Sequence, residues 1–292
     1  MPKAEGLSSL TIVRNAAELR AISDAARASG GVVGLVPTMG ALHRGHLSLL
    51  QTARKDCGLL VASLFVNPTQ FGDDEDFDSY PRDELHDIVL FERYGVDVVY
   101  LPSVGEIYPA GLTITVTVDG LTDGLCGASR PGHFDGVTTV VSKLFEQCRP
   151  NAAYFGEKDY QQLKVIERMA KDLKLDIQIV GLPIVRESDG LALSSRNSNL
   201  DPNERRMAPE LYRTLSVIGG GEMRPDVGLA DQCTWGRNKL LEAGFSSVDY
   251  FEIRDGATLE LANSYRSGLR VFAAAWIGET RLIDNLSIDY LS

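Results

Sequence analysis

Two histidines, His43 and His46, stand in an H-x-G-H turn between an apolar run and a stretch with helical spacing. Val32, Val33, Leu35 and Val36 read as a strand buried on both faces, which Pro37 and Gly40 should stop. Leu47, Leu50, Ala53 and Cys57 then recur at three- to four-residue intervals, so a helix is predicted to begin near His46. A helix N-terminus presents unpaired N–H groups and the positive end of the helix dipole, both of which attract anions such as phosphate. Two readings of the pair stay open: groups on a nucleotide phosphate, or structural histidines. Zinc would need a third and fourth ligand, and neither His86, His133 nor the cysteines supply clustered spacing.

A second strand-to-helix turn follows Ala152–Phe155, where Gly156-Glu157-Lys158-Asp159 precedes a helix with Leu163, Ile166 and Ala170 on one face. The glycine permits close backbone approach, Lys158 offers a point charge suited to phosphate, and Asp159 can accept from ribose hydroxyls. The same four residues also suit a plain solvated turn. Asn67 and Gln70 close the apolar run Leu59–Val66, as hydrogen-bonding amides or as turn formers. Arg130 and His133 lie in a turn-rich approach to a helix whose apolar face is Val137, Val140, Val141, Leu144, Phe145 and Cys148, and they read equally as surface groups at a capped helix start.

These turns need a scaffold. Strand, helix, strand in the order Val32–Val36, residues 46–57, Leu59–Val66 is a βαβ unit, and ligands bind beyond the carboxyl ends of strands in open parallel sheets. The turns at residues 37–46 and 67–70 should therefore face one crevice. A helix over Ala16–Ala26, a helix over Asp83–Tyr94, and strands at Val96–Leu101, Thr113–Val118 (alternating, edge-like) and Ile177–Val185 extend the pattern. Residues 1–10 read as a loose tail and Asp73–Asp78 as a solvated acidic flap. From Pro202 the chain turns helical, with a hinge or loop at Gly219–Gly221, then returns to strands at Val248–Ile253 and Leu269–Trp276. Domains are predicted at 1–183 and 184–292. Neither G-x-G-x-x-G nor a P-loop is present.

The chain has 292 residues, enough for two cores. Its 29 basic and 40 acidic residues give −11, and no Lys/Arg cluster appears, which disfavours a nucleic-acid partner. Cys57, Cys126, Cys148 and Cys233 form no C-x-x-C pair and read as reduced thiols. No run reaches the length of a membrane span, and the start lacks a signal-peptide core, so a cytoplasmic location is expected.

The ordered set PTMGALHRGH, FVNPTQF, YPR, EIYP, ASRPGHF, GEKDYQQL, DGLALSSRN and RLIDN resembles the pantoate–beta-alanine ligases, or pantothenate synthetases, over nearly the whole chain. H-x-G-H alone is shared with nucleotidylyltransferases and class I aminoacyl-tRNA synthetases. The resemblance implies an α/β fold: a Rossmann-like parallel sheet of the H-x-G-H nucleotidylyltransferase type with ATP and pantoate sites, and a smaller α+β C-terminal lid domain. It implies a cytoplasmic homodimer in coenzyme A precursor synthesis, with Mg²⁺-ATP, pantoate and β-alanine as substrates. Pantoate would be adenylated with release of pyrophosphate, and β-alanine would then displace AMP.

Carried over by position, Met39, Gly40, Ala41, Leu42, His43, Arg44, Gly45 and His46 match the family's ATP segment, with His46 as proton donor and His43 beside it. Gly156, Glu157, Lys158 and Asp159 match the ribose and phosphate loop, and Val185, Leu193, Ser194, Ser195 and Arg196 complete the ATP site. His46, His43, Lys158 and Arg196 form the catalytic set. Gln70 and Gln162 match the pantoate glutamines, Gln70 also serving β-alanine; no metal ligand is assigned, because phosphates and waters can hold Mg²⁺. Thr69 departs from the methionine common at that position, which bears on packing around pantoate. For His46 the helix end favours neutral imidazole by roughly 0.3–1 kcal/mol and a bound triphosphate favours the cation, which should prevail. The rival enzyme is a nucleotidylyltransferase moving AMP onto a small acceptor; an inactive ATP sensor is the non-enzymatic alternative.

Overall fold

Val33, Leu35 and Val36 do form a fully buried strand, and it is the axis of the first sheet. The computed structural model describes residues 10–72, 75–111, 113–220 and 227–288. The tail up to residue 9, Asp73 and Asp74 of the acidic stretch, and Gly221 of the glycine run lie outside the described residues. Six strands, β1 (Thr11–Val13), β2 (Val33–Thr38), β3 (Leu59–Leu64), β4 (Val98–Tyr100), β5 (Ala152–Gly156) and β6 (Gln178–Leu182), pair in the order β1-β4-β3-β2-β5-β6. Every pairing is parallel. From β2 the chain builds outward through β3 and β4, then restarts at β5 on the other side. The switch point between β2 and β5 is where such sheets open a crevice at their carboxyl ends.

Helices α1 (Ala16–Ala28), α2 (Arg44–Asp56), α3 (Glu84–Arg93), α4 (Val104–Ile107), α5 (Cys126–Ser129), α6 (His133–Cys148) and α7 (Tyr160–Asp172) intervene. Leu50 and Ala53 of α2 pack with Val36, Leu60, Phe91 and Val99 in one apolar cluster. Full burial of a side chain such as Leu50 contributes about 2 kcal/mol. Arg54 closes the end of α2, pairing with Asp97 at 2.5 Å and donating to the carbonyls of Gly58 and Gly95 at 3.0 Å.

After β6 come α8 (Pro202–Met207), α9 (Glu210–Gly219) and α10 (Leu229–Glu242), then an antiparallel sheet of β7 (Ser247–Asp255), β8 (Leu269–Ile277) and β9 (Thr280–Ser287) in the order β7-β8-β9. Leu211, Leu215, Ile218 and Leu240 from the helices meet Val271, Ala273, Ala275 and Leu282 from the sheet. The chain divides into two compact units. One takes residues to Thr117 with Gly132–Gly156 and Ile166–Leu182; the other takes Val118–Pro131, Glu157–Val165 and all from Pro183. The last crossing falls between Leu182 and Pro183, and segments 118–131 and 157–165 also group with the second unit. Their bonds explain this: Cys126 N–H donates to Gln161 Oε1 (3.0 Å), and Arg281 donates to Ser129 Oγ (3.1 Å).

Three local expectations are corrected. Thr113–Val118 forms no strand. Its backbone is instead met by α6 hydroxyls, since Val116 N–H donates to Thr139 Oγ1 at 3.0 Å and Thr138 Oγ1 donates to Val116 O. Pro37 does not end β2, because β5 pairs with β2 only at Gly34 and Leu35, so on that side Pro37 has no ladder to break. His133 opens α6 instead of preceding it. All four cysteines are free thiols: Cys57, Cys126 and Cys148 are buried and Cys233 half-buried. Burial pushes the Cys148 thiol up to about 12 and Cys233 up to about 11.

Candidate active site

In the first unit the turn after β2 is built by a carboxylate. Gly40 has φ +91° and Ala41 φ +51°, both left-handed, which brings the N–H groups of Ala41 and Leu42 onto Asp87 of α3 at 2.9 and 2.8 Å. Asp87 is 1% exposed; burial raises its pKa, and the two backbone bonds oppose that rise. A Cβ at Gly40 would fall 2.8 Å from Asp87 Oδ2 and 2.6 Å from Leu64 Cδ1, so only glycine fits. Thr38 Oγ1 accepts from Gly40 N–H at 3.3 Å while donating to Ser63 O at 2.8 Å.

That turn delivers His43 as the N-cap of α2 and His46 as its third residue, the helix starting at Arg44, two residues before the predicted point. His43 Nδ1 accepts from Gly45 N–H at 3.1 Å, and His46 Nδ1 accepts from His43 N–H at 3.4 Å. The rings lie 4.1 Å apart between centroids. Because both Nδ1 atoms accept, each neutral ring carries its proton on Nε2. The imidazoles thus replace the hydroxyl and carboxylate of an ordinary capping box.

Gln70 joins this group, its Nε2 donating to Met39 Sδ at 3.1 Å. The turns after β2 and β3 therefore meet, as the crevice argument expects. Asn67, 1% exposed, is a structural hub: Nδ2 donates to Gln70 Oε1 and Gly136 O (both 3.2 Å), and Oδ1 accepts from Tyr108 OH at 2.8 Å. Thr69 Oγ1 enters the same cluster, 3.0 Å from Asn67 Oδ1 and 3.2 Å from Tyr108 OH. The hydroxyl at this departure from the family pattern thus holds the turn. His133 Nδ1 lies 2.8 Å from Gln70 O and steadies the backbone there.

In the second unit Glu157–Asp159 is a single 3₁₀ turn leading into α7. Lys158 is half-buried, its Nζ 3.7 Å from the Asp159 carboxylate, instead of standing in a solvated turn. The paired glutamines that follow differ in kind. Gln161 is buried and saturated, accepting from Cys126 N–H at 3.0 Å and donating to Leu121 O and Gly124 O at 2.9 Å. Gln162 is half-buried and has no such bonds among the described residues, so its amide stays available to a ligand.

Leu193 N–H donates to Val185 O at 3.0 Å, which ties two of the expected ATP-site positions together. Ser194 caps the 3₁₀ turn Ser195–Asn199 by accepting from Arg196 N–H at 3.3 Å. Arg130 caps the end of α5 in this unit. Beside them Arg186 grips Asp284 with two nitrogens (2.6 and 2.9 Å) and stacks 4.1 Å over Tyr212. Burial pushes the Asp284 carboxyl up and Arg186 opposes it. Among the described residues no group of three or more His, Cys, Asp or Glu side chains could hold a metal ion.

The first unit thus joins Gln70 to Met39 of the Met39–His46 turn and contains Gly156 at the end of β5, while the second contains Glu157–Asp159, Gln162, Val185 and Leu193–Arg196, with Lys158 and Ser194 lining one cavity. Asp87 and Tyr108 escaped sequence reading, although Tyr108 lies in the EIYP run.

The sequence profile of the pantoate-beta-alanine ligase family matches residues 11–287. A pantothenate synthetase of Rhodospirillum rubrum is 51% identical, covering 97% of this chain and 100% of its own. The crystal structure of pantothenate synthetase from Thermus thermophilus superposes with a TM-score of 0.86 at 46% identity, covering 95% of this chain and 99% of the other. A pantoate-beta-alanine ligase from Francisella tularensis, complexed with beta-gamma ATP and beta-alanine, gives a TM-score of 0.81 at 35% identity over 96% of this chain and 98% of its own. With a family match spanning both units and the histidine turn built as described, this chain belongs to the pantoate-beta-alanine ligase family.

Proposed function

We propose that the protein joins pantoate to β-alanine, using ATP, through a pantoyl-adenylate intermediate. The observation that carries this reading is the histidine turn, where two imidazoles cap a helix N-terminus through Nδ1 and stack 4.1 Å apart in the first turn of α2. A pantoate carboxylate oxygen attacks the α-phosphorus, forming a C–O–P link as the bond to the β-phosphate breaks and pyrophosphate leaves. The β-alanine amine then attacks the acyl carbon, the C–O bond to AMP breaks, and the amine releases its proton.

Charge grows on phosphate oxygens in the first step, so fixed donors and cations there lower the barrier most. His43, His46 and the α2 N-terminus supply donors; Lys158 and Arg196 supply charge. Met39–His46, Gly156–Asp159, Val185 and Leu193–Arg196 hold ATP, Gln70 and Gln162 hold pantoate, and Gln70 also meets β-alanine. Gln162 suits pantoate because its amide is uncommitted, whereas Gln161 is fully engaged in structure. Mg²⁺ arrives with ATP, held by the phosphates. The protein works as a homodimer in the cytoplasm, the dimer being testable by sedimentation; no helix among the described residues is long and apolar enough to cross a membrane.

The test leaves out each reactant in turn. Pyrophosphate should require ATP and pantoate only, while AMP and pantothenate should also require β-alanine. Transfer of AMP onto a phosphorylated acceptor, with no dependence on an amine, would overturn the ligase in favour of a nucleotidylyltransferase.

A further inference from the structure

The late run Arg281-Leu282-Ile283-Asp284-Asn285 has no role in the chemistry above, yet Asp284 and Asn285 are only 3% and 2% exposed. Both lie on β9, an ordinary place for apolar side chains and a costly one for polar groups unless every bond is met. Asn285 meets all of its bonds. Its Nδ2 donates to Glu157 O at 2.9 Å and to Lys158 O at 3.0 Å, and its Oδ1 accepts from Arg270 Nη1. A guanidinium can only donate, so the amide has one orientation: oxygen toward Arg270, NH₂ toward the two carbonyls.

Those carbonyls belong to the peptide units on either side of the Lys158 α-carbon. Fixing both fixes the direction in which the lysine leaves the chain. Arg270 is itself held, 3.9 Å above the Tyr160 ring and 3.5 Å from the Glu157 carboxylate, so the clamp rests on a rigid support. Asp284, on the same strand, lines a cavity of about 10 Å³ with Lys158, Ser194 and Asn197, and its charge is neutralised by Arg186.

We infer that Asn285 is a positioning residue that sets the geometry of Lys158 by clamping the two peptide carbonyls flanking it. The inference rests on the reading of Lys158 as the cation that acts on phosphate. Substituting Asn285→Asp keeps the size and gives Arg270 a better acceptor, but replaces the clamping donor with oxygen facing two carbonyl oxygens. Packing and the Arg270 contact survive; the clamp does not.

The experiment measures single-turnover pantoyl-adenylate formation with Mg-ATP and pantoate for the wild type, Lys158→Ala, Asn285→Asp, Asn285→Ala and the double variant Lys158→Ala/Asn285→Asp. Asn285→Asp should slow the step by roughly tenfold or more, with KM for pantoate changed far less, because misaiming a catalytic charge affects rate above binding. The double variant should be no slower than Lys158→Ala alone, since a residue acting through another loses its effect when that other is gone. Asn285→Ala, which adds no charge, should show the same loss and covers the case in which the Asp variant does not fold. If Lys158→Ala is impaired but both Asn285 variants run at the wild-type rate, the clamp is overturned and the lysine's role stands. Rate losses that multiply in the double variant would also overturn it. A wild-type rate in Lys158→Ala would overturn the lysine's role and the clamp together.

Discussion

Replacing Asp87 with asparagine should dismantle the turn that aims the histidines, and its size can be worked from two bonds. Each carboxylate oxygen takes one backbone N–H, from Ala41 and Leu42. Asparagine retains one acceptor and turns an NH₂ toward the other N–H. One charge-assisted bond is lost and a buried donor is stranded, each on the order of 1–3 kcal/mol. Against this stands relief of a desolvated charge, visible in the upward shift of the Asp87 pKa. A net loss of about 2 kcal/mol at neutral pH lowers the unfolding midpoint by about 4–8 °C for a unit of this size. Because the native pKa is raised, the native state binds more protons than the unfolded one between the ordinary carboxylate value near ~3.9 and the raised value. Wild-type stability therefore falls as pH rises through that window, and its lead over the variant should be larger at acid pH than at neutral pH. Calorimetry across pH checks both points, and single-turnover adenylate formation should drop by roughly a hundredfold if the α2 start shifts by about 1 Å. An unchanged midpoint with an unchanged rate, or a lead that widens with rising pH, would refute the reasoning.

Three further outcomes are expected. Nitrogen NMR of the free protein should show unprotonated Nδ1 and protonated Nε2 for His43 and His46, and His46→Gln should bind ATP within about an order of magnitude of wild type while adenylating far more slowly; unimpaired adenylation would leave His46 only a structural donor. Gln161→Ala should lower the melting midpoint by unpairing Cys126 N–H and two carbonyls, whereas Gln162→Ala should raise KM for pantoate and leave the midpoint in place. Asp255, whose pKa is lowered first by the Thr258 N–H bond and also by Arg266, stabilises above the ordinary carboxylate pKa and loses that contribution as pH falls through its lowered native value; Asp255→Asn should flatten acid unfolding in that window.

What could be read from sequence was what is local. The histidine turn, the Gly156–Asp159 turn and the helix faces of α2, α6 and α7 depend on neighbours a few residues away, and spacing reveals them. Asp87 and Asn285 were hidden because their partners lie 45 and 46, and 127 and 128, positions away. In one dimension Asp87 is an acid on an amphipathic helix, and Asp284-Asn285 interrupts the alternation that would have announced β9. Thr113–Val118 misled for the opposite reason: it alternates like a strand, but α6 threonines satisfy the Val116 backbone instead. β1, with Thr11–Val13 and one fully buried side chain, is too short to leave a periodic trace.

The buried thiols give the molecule a built-in clock. Only thiolate reacts with alkylating reagents, and burial both raises the Cys148 and Cys233 pKa values and blocks access to Cys57 and Cys148. The buried Cys57, Cys126 and Cys148 should therefore be nearly silent to iodoacetamide in the native protein, and each alkylation event at them should report an opening. Cys57 and Cys148 lie in the first unit, Cys126 and Cys233 in the second. Peptide-resolved labelling over time would thus measure how often each unit opens by itself, without any engineered residue.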